Sequence, residues 1–172
     1  MGLVRVGRLT PRSIPASFNN SNVPLEDFYI HDKLPTDSVR LEKVWTGVWS
    51  ERAKLEVQIR TNLKPNYRTV SKNLLSTVNN EIDCSRSALG LASSEYVTEF
   101  RIVFTEDIQP DFHDTTGPAI QVKVLDTIKN GQKFTNKVDV GGKYEKEYVY
   151  NTDGWTSISY NKPKGDLPKT GW

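Results

Sequence analysis

The chain has 172 residues, 36% of them hydrophobic, and a formal net charge of +2. That length predicts one domain with a real core. No apolar run approaches the ~20 residues of a bilayer-crossing helix, no apolar stretch follows the first methionine as a secretory leader requires, and the lone Cys84 excludes an internal disulfide, which suits a reducing compartment.

The charge is segregated along the chain. Arg5, Arg8 and Arg12 precede the first acid, Glu26. From Glu51 to Lys72 six basic residues face two acids, and from Glu95 to Asp126 seven acids face two basic residues. Segregation of this kind suits a protein that binds an anionic surface and its own copies. Taken cluster by cluster, the same charges are also what solvates ordinary strand faces.

In chain order, residues 1–24 carry Pro11, Pro15 and Pro24 and show no sustained periodicity, which predicts a flexible basic arm with apolar anchors such as Leu9, Ile14 and Phe18. Residues 25–160 are expected to form the globular domain. Its first part, 25–35, is short and aromatic, and 41–49, with Trp45 and Trp49, reads as the first strand. Leu55, Val57, Ile59, Thr61 and Leu63 then alternate with Lys54, Glu56, Gln58, Arg60 and Asn62, the period of a strand with one buried face. Pro65 stops that strand. Val70, Leu74, Leu75, Val78 and Ile82 fall on one side of a 3.6-residue repeat, which predicts a helix with Ser71 as its N-cap. Residues 85–94 read either as a helix end or as an apolar-tipped loop.

Alternation returns at Tyr96, Thr98, Phe100, Ile102 and Phe104, giving another strand, and 105–118 reads as an acidic loop. The remainder predicts a meander of strands at 119–128, 133–140, 144–150 and 155–160. Its turns fall at Asn130-Gly131, Gly141-Gly142 and Asp153-Gly154, dipeptides that supply positive φ. Residues 161–172 read as a disordered tail. The expected fold class is therefore α+β, a twisted, mostly antiparallel sheet packed against one main helix, with flexible N- and C-terminal tails.

No catalytic constellation stands out. Leu167-Pro-Lys-Thr-Gly spells a sortase signal but lacks the leader, apolar tail and basic anchor that such a signal needs. Asp111-Phe-His113-Asp114 offers too few ligands for a metal corner and reads as a solvated acidic loop. Cys84 reads as a half-buried cysteine at a helix end. The chain is thus expected not to be an enzyme, and no cofactor is called for. Arg60, Lys64, Arg68 and Lys72 are candidates for a basic ridge facing phosphate head groups or nucleocapsid. Their structural alternative has Tyr67 capping the sheet edge and Arg68 satisfying carbonyls or an acid nearby.

One stretch carries a resemblance. An alternating strand (Val57, Ile59, Thr61), a polar loop, Pro65, Tyr67 and then Arg68-Thr69-x-Ser71 resembles the centre of rhabdovirus matrix proteins, over about 30 residues. The chain length suits the short matrix proteins of the plant-infecting, cytorhabdovirus type. The resemblance implies a structural protein of the virion, under the envelope, found also in host cytoplasm and at peripheral membrane. Its implied partners are its own copies, the viral nucleocapsid, the viral glycoprotein and anionic lipid, with nucleic acid reached only indirectly. It also implies that an N-terminal segment docks on a neighbouring copy. Leu9, Ile14 and Phe18, with the acids Glu106, Asp107, Asp111 and Asp114, are then the expected self-association residues, and Arg5, Arg8 and Arg12 join the basic ridge as membrane- or nucleocapsid-binding residues. No Pro-Pro-x-Tyr or Pro-Thr/Ser-Ala-Pro motif is present.

A rival expectation is a β-rich movement or capsid protein of a plant virus that binds nucleic acid directly. It calls for basic residues interleaved with aromatics on one sheet face.

Overall fold

The computed structural model describes residues 3–4, 19, 22–129, 131 and 133–158. The strands in chain order are β1 (Leu3–Val4), β2 (Glu26–Lys33), β3 (Val39–Trp45), β4 (Val48–Trp49), β5 (Lys54–Thr61), β6 (Arg68–Leu75) and β7 (Glu81–Asp83). They continue, after the short helix α1 (Arg86–Leu89), with β8 (Val97–Phe104), β9 (Asp114–Thr116), β10 (Ala119–Val124), β11 (Lys133–Tyr144) and β12 (Glu147–Ile158).

Strict alternation places the core. Leu55, Val57, Ile59 and Thr61 of β5 are buried, as are Phe100, Ile102 and Phe104 of β8 and Phe28 and Ile30 of β2. These strands belong to a six-stranded sheet in the order β12-β11-β2-β8-β5-β6, antiparallel throughout. A second sheet, β1-β10-β3-β7, contributes Val39, Leu41, Val44, Ile120 and Val122 to the same hydrophobic cluster. Two inner faces sharing one core make a β-sandwich. Towards one end the core becomes aromatic: Trp49 stacks on Phe112 at 5.3 Å, and Phe104 meets Trp49 edge-on at 4.9 Å.

The expected α+β class is corrected to a β-rich one. The longest helix among the described residues is α1, with four residues, capped by Ser85 and ended by Gly90 in the left-handed region. The predicted helix from Ser71 is instead β6 followed by a turn and β7. Its cause lies in the pairing with β5. Between Leu55↔Leu74, Val57↔Ser71 and Gln58↔Thr69 the register shifts twice, so β6 carries an extra residue at each step. Asn73 sits there at φ 57°. Two bulges within eight residues destroy the period of two, and the surviving spacing of Val70, Leu74 and Leu75 imitates a helix face. Ser71 caps nothing.

Other expectations shift as well. Leu63, assigned to the buried face, is 54% exposed, because the chain has already turned out of β5. The strand expected over 41–49 is two strands, β3 and β4, with Gly47 between them. The acidic loop 105–118 contains β9. Gly141-Gly142 and Asp153-Gly154 are not turns but lie inside β11 and β12, which form one long hairpin. The glycines at 141 and 142 face the place where β2 carries an extra residue against β11, with Asp27 there at φ 47°, and a Cβ on Gly142 would lie 3.2 Å from Leu25. The true turn is Glu145-Lys146, both with positive φ. Of the arm expected over 1–24, Leu3–Val4 form β1 and the Asn19 N–H donates to the Phe112 carbonyl, while 1–2, 5–18 and 20–21, with the tail expected over 161–172, lie outside the described residues.

Candidate functional site

The pleat that buries Phe100 and Ile102 turns Glu99, Arg101 and Val103 to the opposite face. Register then sets which side chains meet across the strands. Glu99 lies beside Lys33 and Arg60; Arg101 lies beside His31 and Gln58; Val103 lies beside Tyr29 and Glu56. On β11, Asp139 pairs with His31 and Gly141 with Tyr29.

Glu99 is the hub of this face. Its Oε2 accepts from the Tyr67 hydroxyl at 2.8 Å and lies 2.8 Å from His31 Nε2, while Arg60 approaches its Oε1 at 3.5 Å. Burial works against the charge of Glu99, but hydrogen bonds from Tyr67 and His31, with electrostatic attraction to His31 and Arg60, hold its carboxyl below the usual range. Burial, and then the bond to Glu99, pushes the Tyr67 phenol well above its ordinary value. The Tyr67 ring is covered by two guanidiniums, Arg60 at 4.5 Å and Arg101 at 3.9 Å. His31 Nδ1 lies 3.1 Å from Asp139 Oδ2, so both ring nitrogens face carboxylates. A neutral imidazole has one N–H and donates to only one of them.

Beside this network an open trough of about 660 Å³ runs over the Tyr29, Val103 and Glu56 row. Gly141 brings no side chain to that row and Val103 only a short one, which is why the space exists. The trough is flanked by Arg101, Gln58, Tyr67 and the Asp27–Lys143 pair, whose charged atoms are 3.3 Å apart.

The expected basic ridge divides. Arg60 belongs to the Glu99 network. Lys64 is exposed in the loop after β5, Arg68 opens the edge strand β6, and Lys72 is exposed further along it. Arg68 donates to the carbonyl of Leu89 at 2.9 Å, the carbonyl-satisfying role anticipated for it. Arg86 joins this end of the molecule by donating to the carbonyls of Ala92 and Ser93. Among the described residues Lys64, Arg68 and Arg86 form no ion pair, although the carboxylate of Glu95, which accepts from Thr61 at this end, feels the charges of Lys64 and Arg68. Arg86 was missed by sequence reasoning, because nothing local shows that the α1 turn folds against the start of β6.

The acids lie at the other end of β5. The Glu106 carboxylate accepts from the backbone N–H of Lys54, the first residue of that strand, and Asp107 and Asp111 are exposed nearby in the chain. Asp114, expected in the same patch, is buried on β9 instead. Arg5, Arg8, Arg12, Leu9, Ile14 and Phe18 lie outside the described residues.

Among the described residues no cluster of three or more His, Cys, Asp or Glu is arranged to hold a metal, and no helix is long and apolar enough to cross a membrane. Cys84 is buried rather than half-buried. Burial, with Asp83 beside it, pushes its thiol up to about 12, far from a reactive thiolate. No protein-family model, curated protein or solved structure matches this chain.

Proposed function

We propose that the protein is a matrix-type structural protein of a virion, which self-associates and docks on anionic surfaces, an inner membrane leaflet and a nucleocapsid, during assembly and budding. The observation that carries this reading is the placement of exposed cations and exposed acids at opposite ends of one strand. Lys64 and Arg68 follow the far end of β5, with Arg86 on the short helix whose Leu89 carbonyl accepts from Arg68, while Glu106 sits at its start. Eight residues of strand separate the two ends by about 25 Å. Such a molecule meets its own copies head to tail, a contact that does not close on itself and gives open polymers. The cationic end, beside exposed Leu63, also suits a lipid surface, where each basic residue contributes on the order of 1 kcal/mol.

Light scattering with rising salt, together with sedimentation on phosphatidylserine vesicles, tests the reading. Low-salt oligomers that dissolve in high salt, and vesicle binding that weakens in parallel, are expected. A chain that stays monomeric at high concentration and low salt, and ignores the vesicles, removes the proposal.

The all-antiparallel sandwich, with Arg60, Tyr67 and Arg101 interleaved on one sheet face, favours a second reading, a plant-virus movement or capsid protein that binds nucleic acid directly. Tight, salt-sensitive binding of single-stranded RNA without vesicle binding would select it.

A further inference from the structure

The trough over Tyr29, Val103 and Glu56 has no part in the matrix reading, and its chemistry points elsewhere. Its volume lies within the range of small-ligand sites, roughly 300–1,000 Å³. Its floor is a row of outward positions on paired strands, which fixes the spacing of those side chains, and Tyr67 and Thr105 add walls from the flanking loops. Glu56 uses Oε1 to accept from Gln58 and Thr69, leaving Oε2 without a partner among the described residues. Arg101 donates through Nε to Gln58 and its guanidinium carbon lies 3.9 Å from the Tyr67 ring centre; its two terminal nitrogens make no hydrogen bond among the described residues. A free acceptor and a free fork of donors are thus held in place by neighbours that fix both side chains.

The charges balance. Lys143 is neutralised by Asp27, and Arg101 is linked to Glu56 through Gln58. A phosphate placed on Arg101 would approach the Glu56 carboxylate, and a cation placed on Glu56 would approach Arg101. Neither ion is selected. A neutral molecule carrying several hydroxyls satisfies both, since each hydroxyl donates and accepts, and the half-buried Tyr29 ring offers its C–H groups an apolar flank.

We infer that the outer face of the six-stranded sheet binds a neutral saccharide, one or two sugar units of a glycan, in the trough between Tyr29, Glu56 and Arg101.

Amide chemical-shift mapping of the full-length chain tests this with cellobiose, maltose and lactose, and with inorganic phosphate as the charged control. An array of neutral and anionic glycans widens the panel. Saturable shifts confined to residues 29, 56, 58, 101 and 103 with at least one neutral sugar are expected. Val103→Phe, which fills the trough while keeping a strand-forming residue, should abolish them. Glu56→Gln should weaken binding about tenfold with the rest of the spectrum unchanged. The inference is overturned if no neutral sugar in the panel or on the array binds. It is equally overturned if binding persists undiminished in Val103→Phe, or if phosphate or an anionic glycan moves the same residues in place of a neutral one.

Discussion

Asp32 shows what burial does to a charged residue in this core. It follows His31, but the pleat turns it inward, where its Oδ2 accepts from Asn136 at 2.7 Å and its Oδ1 has no partner. Burial, opposed only in part by that bond and reinforced by Asp139, raises its carboxyl from 3.8 to about 8. The protonated acid is therefore the form that the fold prefers. Its contribution is fully present below the unfolded value near 4 and is lost as pH rises towards 8, by at most ~1.4 kcal/mol per pH unit. Asp32→Asn keeps the shape, allows a reciprocal amide pair with Asn136 and does not titrate. Urea midpoints between pH 5 and 8 should fall with pH in the natural chain relative to the variant; parallel profiles would show that Asp32 is charged in the fold. Gly47 offers a second test at this scale. It sits at φ 76°, and a Cβ there would lie 2.4 Å from the Thr116 carbonyl oxygen. Gly47→Ala should cost about 2 kcal/mol or more in denaturant melts, and a neutral outcome would mean that the β3–β4 corner is built otherwise.

Among the elements, β6 carries the main correction. As an edge strand with Arg68 and Lys72 exposed, it shows the cationic protection that keeps edges from pairing with other chains. Its partner β5 is central and its inward residues are wholly buried. Substitutions in the two strands should therefore differ sharply. Ser71→Ala is expected to stay within about 0.5 kcal/mol, because no helix depends on its hydroxyl. Leu55→Ala should cost about 2–5 kcal/mol by emptying a core site. A loss near 1 kcal/mol for Ser71→Ala would show that its hydroxyl makes a contact beyond the β5–β6 ladder.

For the molecule as a whole, the separation of the two charged ends predicts a complementation experiment. Lys64→Glu with Arg68→Glu and Arg86→Glu makes both ends acidic, whereas Glu106→Lys with Asp107→Lys and Asp111→Lys makes both ends basic. Each altered chain alone should lose low-salt association, and an equal mixture should recover it by alternating along the polymer. All of these residues are exposed and none lies in the core, so folding should survive. Failure of the mixture to associate would show that the contact between copies lies elsewhere.

Much of the central sheet was legible in the sequence, because the alternation that defines β5 and β8 is local: one residue in, the next out, with the core partners following from parity alone. Lys64 was likewise legible as a loop cation. What depends on register was not. The bulges of β6 exist only against β5, and the long β11–β12 hairpin runs through glycines that local rules assign to turns. The face around Glu99 joins His31 to residues 68 and 108 positions away along the chain. Tertiary pairing alone decided those contacts, since a strand's sequence states which residues share a face but not which strand lies beside it or where its ladder slips.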